Sequence, residues 1–159
     1  MKKSSVAEIR ERFDKDVERF SNLDTGQLTT IDAKISLELI TEAARRIVPN
    51  AEQLLDIGCG AGNYSLKMLS KLPNLECTLV DLSDPMLDKA YERVSEQTNK
   101  NVHVVKGDIR EVPLKQNYFD IILAGAVLHH LRDDQDWETT FKKIYGILKP
   151  GGCFMISDL

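Results

Sequence analysis

From Ala51 onward, short unbroken apolar runs alternate with longer amphipathic segments, and this alternation limits the available folds more than any other feature of the chain. A run that stays apolar at consecutive positions buries both faces of a strand, as in a parallel sheet, and parallel neighbours need a crossover between them. The pattern predicts strands at Gln53–Ile57, Leu75–Asp81, Asn101–Val105, Phe119–Ala124 and Cys153–Ser157. A helix is expected over Asn63–Leu72. A second has Ser83 as N-cap, Pro85 in its first turn, and Met86, Leu87, Ala90, Tyr91 and Val94 on one face. Trp137, Phe141, Ile144 and Leu148 mark the buried face of a third, which puts Trp137 in the core. That helix should end at Lys149, with Pro150-Gly151-Gly152 as stop and turn. The expectation is an α/β domain, doubly wound around a mostly parallel sheet, over residues 51–159.

Residues 1–50 read as a separate N-terminal helical segment. Val6, Ile9, Phe13, Val17 and Phe20 form one stripe; Ile31, Ile35, Leu39, Ala43 and Ile47 form another, joined by the polar link Ser21–Thr30. Such a pair either covers a crevice as a lid or packs on the sheet.

Composition excludes several classes. With 159 residues, 42% hydrophobic and 29% charged, the chain reads as a soluble globular protein without a membrane span or secretory leader. A net charge of −4 gives no general attraction to nucleic acid, so a small-molecule partner is favoured. Cys59, Cys77 and Cys153 lack metal-ligand spacing and read as reduced thiols of a cytoplasmic protein; no metal site is expected.

In open parallel sheets ligands sit beyond the carboxyl ends of the strands, so residues just after strands carry the functional information. After the first strand, Gly58, Gly60 and Gly62 allow a ligand to approach the backbone. A dinucleotide fingerprint starting at Gly58 would need glycine or alanine at Asn63, whereas D-x-G-x-G-x-G is complete from Asp56. Asp81 lies 19 residues past Gly62 at the end of the second strand, placed to accept from both hydroxyls of a ribose. The alternative is a surface aspartate. After the third strand, Asp108 can accept from an adenine amine while Ile109 packs on the ring; otherwise Asp108 is a turn residue. Beside the fourth strand, His129 is a candidate general base. Adjacent histidines on regular structure point apart, so at most one of His129 and His130 should face a site; both could instead merely shape the turn.

Taken in order, Asp56–Gly62, Val80-Asp81-Leu82-Ser83, Gly107-Asp108-Ile109, Phe119-Asp120-Ile121-Ile122 and Leu148-Lys149-Pro150-Gly151-Gly152 resemble the motifs of class I S-adenosylmethionine (SAM)-dependent methyltransferases. The likeness spans about Leu54 to Leu159. Phe13-Asp14, Phe20 and Gly107-Asp108-Ile109-Arg110 are distantly similar to members that modify tRNA wobble uridine or quinone rings. The resemblance implies a Rossmann-like sheet in the order 3-2-1-4-5 and SAM as cofactor, with S-adenosylhomocysteine (SAH) as product. It implies the amino-acid part near Asp56 and Gly58, and the ribose on Asp81. Adenine would lie among Leu82, Met86, Asp108 and Ile109, with the backbone of Ala124 and Gly125 beside the sulfonium.

Family members continue past the fifth strand with two more, one antiparallel. Their absence marks the chain as C-terminally truncated, or leaves Cys153–Ile156 as an apolar edge for a second copy to cover in a homo-oligomer. The functional expectation is in-line methyl transfer to an unidentified acceptor, small molecule or RNA base. Two alternatives are a SAM-binding module without turnover and an NAD-dependent oxidoreductase, the latter disfavoured by Asn63.

Overall fold

Leu54 and Leu55 are adjacent and both fully buried. Successive strand side chains point to opposite faces, so a strand with no exposed face belongs in the middle of a layered sheet. The computed structural model, which describes residues 4–22 and 33–158, places it there. Five parallel strands, β1 (Gln53–Ile57), β2 (Glu76–Asp81), β3 (Val102–Lys106), β4 (Phe119–Gly125) and β5 (Leu148–Ser157), lie in the order β3-β2-β1-β4-β5. Helices α1 (Val6–Asp14), α2 (Val17–Ser21) and α3 (Ala33–Ile47) precede the sheet. Helices α4 (Asn63–Lys71), α5 (Asp84–Ser95) and α6 (Asp134–Ile147) are in the crossovers.

The sheet divides the core in two. Leu54, Leu79, Ile121 and Leu123 pack under α3, α4 and α5 through Leu37, Met68 and Ala90. Leu55, Ile57, Val80 and Ile122 face the other way, onto Ile109, Ile144 and Ile147. Strand order reverses between β1 and β4, so the crevice of the fold opens beyond Ile57 and Gly125. The register aligns Ile57 with Val80 and Ala124, and Asp81 with Lys106, which brings the four strand-end motifs to one edge.

Four expectations are corrected. The first N-terminal stripe is cut at Lys15–Asp16 into α1 and α2, although Ile9 is buried and Phe13, Val17 and Phe20 are partly so. In α3 the stripe through Ile35, Leu39 and Ile47 faces outward (57%, 64% and 57% exposed), and Leu37, Thr41 and Ala44 face the core. Thr41 is the reason: its hydroxyl donates to the Leu37 carbonyl at 2.7 Å, which lets a polar residue be buried. Ile31 and most of the Ser21–Thr30 link lie outside the described residues. Trp137 and Phe141 are 38% and 40% exposed, and Tyr91 is also exposed, so those helices bury narrower faces than expected. β5 begins at Leu148 rather than Cys153, so Lys149-Pro150-Gly151-Gly152 belongs to the strand. A register shift between Phe119 and Ile121 absorbs this segment, and Lys149 Nζ reaches the Asp120 carboxylate at 2.9 and 3.0 Å.

Ser83 caps α5, its Oγ accepting from the Met86 N–H at 3.4 Å while its own N–H donates to Asp81 Oδ1 at 3.0 Å. Ser83→Ala should cost about 1 kcal/mol and lower the melting temperature by roughly 2–4 °C, read by thermal denaturation. An unchanged melting temperature would show that the cap bond carries no weight.

Candidate functional site

Three glycines turn the chain from β1 into α4. Gly58 has φ +63°, and a Cβ there would stand 2.4 Å from Val127 Cγ2, so both backbone conformation and space demand glycine. The loop is held from behind by Cys59 N–H donating to the Val80 carbonyl at 3.0 Å and Gly62 N–H donating to the Cys59 carbonyl at 2.8 Å. On the opposite wall, a Cβ on Gly125 would lie 2.3 Å from Tyr64 Cε2. Glycine at 125 therefore lets the ring of α4 close on the end of β4. Burial pushes the Cys59 thiol well above its usual range, so it is inert at this loop.

Between the loop and the N-terminal helices lies a cavity of about 580 Å³, within the size range of small-molecule sites. The expected Gly58, Gly60, Asp81, Leu82, Met86 and Asp108 line it, as do Ile109, Gly125 and His129. Asp56, Gly62 and Ala124 do not line it. Asp56 lies behind the loop, where Oδ2 accepts from Ser65 Oγ at 2.6 Å and Ser65 N–H at 3.2 Å. Gly62 caps α4 against Ala90 and Val94, and Ala124 is fully buried in the sheet.

Asp81 Oδ2 accepts from Gly60 N–H at 2.9 Å, and Oδ1 accepts from Ser83 N–H. A carboxylate has about four acceptor sites, so capacity is left for a ligand hydroxyl. Burial raises its pKa, opposed by those backbone hydrogen bonds. Asp108 is more fully engaged. Its Oδ1 accepts from Arg110 N–H and Nε at 2.9 Å each, and its Oδ2 from Nη2 at 2.5 Å. Arg110 also bridges to Asp136 at the start of α6.

Helices α1 and α2 roof the cavity through Phe13 and Phe20, whose ring centroids are 5.1 Å apart. Asn63, the residue that breaks the dinucleotide pattern, ties this roof down. Its Nδ2 donates to the Phe20 carbonyl at 3.0 Å, and its Oδ1 accepts from Arg93 at 3.0 Å. α3, by contrast, packs on β5 and α4.

Both His129 and His130 line the cavity, against the expectation that adjacent histidines diverge. They occupy a 3₁₀ turn, Leu128–His130, which keeps their rings 4.0 Å apart. The His130 ring meets Phe13 edge-on at 6.0 Å. Ala126, just before this turn, holds φ +53°, strained for a residue with a Cβ. Sequence reasoning missed Tyr64, Asp136 and Asp158. Tyr64 reads simply as an apolar helix position, Asp136 as a first-turn acid, and Asp158 has no local motif around it. Among the described residues, no cluster of three or more His, Cys, Asp or Glu side chains is arranged to hold a metal.

A profile described as a methyltransferase domain matches residues 54–152. Malonyl-acyl-carrier-protein O-methyltransferase of Priestia megaterium is 30% identical over 127 residues, covering 80% of this chain and 44% of that protein. Demethylmenaquinone methyltransferase of Listeria monocytogenes is 27% identical over 152 residues, covering 95% of this chain and 60% of that protein. The chain thus spans about half the length of the curated relatives it matches. Among solved structures, an N-methyltransferase from Bradyrhizobium japonicum in complex with SAH shares the fold, with TM-score 0.68 and 24% identity over 91% of this chain and 71% of that one. Phosphoethanolamine N-methyltransferase 2 of Haemonchus contortus, in complex with phosphomonomethylethanolamine and SAH, aligns with TM-score 0.61 and 28% identity, covering 91% of this chain and 35% of that chain.

Proposed function

Because this chain belongs to the class I SAM-dependent methyltransferase family, we propose that it binds SAM in the 580 Å³ cavity and transfers the sulfonium methyl in line to a small-molecule acceptor. One observation carries this reading: the motifs after β1, β2, β3 and β4 all open onto that single cavity. Asp81 holds a ribose hydroxyl, and Leu82, Met86 and Ile109 sandwich adenine. Asp108 accepts from its exocyclic amine with the capacity Arg110 leaves. Gly58 and Gly125 let the ligand backbone and sulfur approach the main chain, while Asp56, Gly62 and Ala124 shape the loop and strand from behind. Bound SAM supplies an electrophilic methyl, so the protein's task is to orient the acceptor and exclude water. Phe13 and Phe20 serve as the water-excluding roof, and His129 faces the acceptor as base.

The enclosing Phe13 and Phe20 rings and the net charge of −4 favour a small molecule over a nucleic acid, although Arg12 and Arg19 also line this side of the cavity. We place the reaction in the cytoplasm, which three buried free thiols support. No described helix is long and apolar enough to cross a membrane. The outer edge of β5, where Ile156 is exposed, we assign to pairing with a second copy. Light scattering should then give a dimer mass; a monodisperse monomer would overturn that assignment.

Titration calorimetry should show saturable binding of SAH and none of NADH. Asp81→Asn should weaken SAH about 10- to 150-fold, the value of one hydrogen bond to a charged acceptor. Binding of NADH alone would sink the SAM reading. Labelled-methyl transfer to small molecules and tRNA then separates turnover from binding without turnover.

A further inference from the structure

We propose that Asp158 positions His129 as a proton acceptor, and that the atom methylated therefore starts with a dissociable O–H or N–H proton. The proposal rests on the SAM site described above. The end of β5 carries Asp158 to the 3₁₀ turn that follows β4, and the carboxylate grips that turn twice. Its Oδ2 accepts from the His129 backbone N–H at 3.0 Å, and its Oδ1 lies 2.5 Å from His129 Nδ1. The crossing is braced by Ala126 N–H donating to the Ser157 carbonyl at 2.6 Å, and by a 2.6 Å hydroxyl pair between Ser157 and Ser36. Backbone and ring of His129 are thus fixed together, as a precise site requires.

The chemistry of the pair sets the tautomer. An ionised carboxylate only accepts, so in the neutral ring the proton sits on Nδ1 and the lone pair is on Nε2. His129 lines the cavity, and no described residue hydrogen-bonds to its Nε2. The side chains are 32% exposed for His129 and 16% for Asp158, so the pair lies at the wall with the histidine toward the open side.

The acceptor's lone pair forms the new bond to the methyl carbon, and the electron pair of the broken C–S bond stays with sulfur. His129 Nε2 takes the proton that the acceptor atom loses, giving an imidazolium that faces the Asp158 carboxylate and then releases the proton to water. A carboxylate acceptor is already ionised near neutrality and would need no such base. The dyad therefore fits a phenolic or alcoholic hydroxyl, or an amine.

The test is ¹⁵N NMR of the full chain with labelled histidine at pH 8, with SAH and sinefungin as ligands. The primary amine of sinefungin projects where the transferable methyl would be. Expected is a protonated Nδ1 and an imine-type Nε2 for His129. The Nε2 resonance should shift on saturation with sinefungin but not with SAH. Asp158→Asn should move the population toward the Nε2–H tautomer and abolish the sinefungin response, and Asp158→Glu should restore part of both. A dominant Nε2–H tautomer in the unaltered protein overturns the proposal, as does an Nε2 resonance that ignores sinefungin while calorimetry shows it bound. Failure of both ligands to bind would overturn the SAM reading itself, and the proposal with it.

Discussion

Gly58→Ala should lower stability by about 2–5 kcal/mol and abolish SAH binding detectable by calorimetry. Two independent costs combine. At φ +63° an L side chain pays roughly 1–2 kcal/mol of backbone strain. The new Cβ would also stand 2.4 Å from Val127 Cγ2 and 2.8 Å from Val127 Cβ, an overlap worth about 1–3 kcal/mol in a packed wall. For a chain of this size the melting temperature should fall by roughly 5–15 °C. Because the cost has a steric and a conformational part, a second substitution separates them. Adding Val127→Ala removes the 2.4 Å contact but leaves the 2.8 Å contact and the dihedral. The double variant should recover about 1 kcal/mol, with SAH binding still weak. No coupling between the two substitutions would show that Val127 is not what excludes a side chain at position 58.

The parts of this molecule legible in its sequence are those set by local rules. β1 to β4 fall within one residue of expectation: β1, β2 and β4 are largely buried on both faces, which leaves a nearly unbroken apolar run, and β3, an edge strand with exposed His103 and Val104, is marked by its three valines. β5 was harder: Pro150-Gly151-Gly152 reads as a turn, and only the bulged pairing with Phe119 and the Lys149–Asp120 ion pair keep it in the sheet. The buried face of α3 was hidden by Thr41, whose hydroxyl is satisfied within its own helix. The strand-end carboxylates were legible because spacing from the glycine loop places them. Their partners were not, since Arg110 reaches Asp136 and Asp158 reaches His129 across 26 and 29 residues, and no periodicity encodes such contacts.

Asp56→Asn should stabilise the protein at pH 8 by up to about 4 kcal/mol relative to the unaltered chain, while leaving it nearly unchanged near pH 4. Asp56 is 1% exposed. Burial raises its pKa from 3.8 to about 7, against the lowering effect of its two hydrogen bonds from Ser65, and the nearby Asp81 charge adds to the rise. The sign follows from linkage. Below the unfolded value both states hold the proton and the native carboxyl is neutral. Between about 4 and 7 the unfolded chain releases its proton while the native one keeps it, so stability falls by about 1.4 kcal/mol per pH unit until the native group also ionises. An amide in the same place can still accept from Ser65 but does not titrate. Other carboxylates, such as Asp120 beside Lys149, have lowered pKa values and the opposite pH slope. They are common to both proteins, so the difference in melting temperature between pH 4 and pH 8 isolates Asp56. Parallel melting curves across that range would show that Asp56 is ionised in the native state. SAH affinity at pH 8 should be the same for Asp56→Asn and the unaltered chain, because this carboxyl lies behind the loop, held by Ser65, and does not line the cavity.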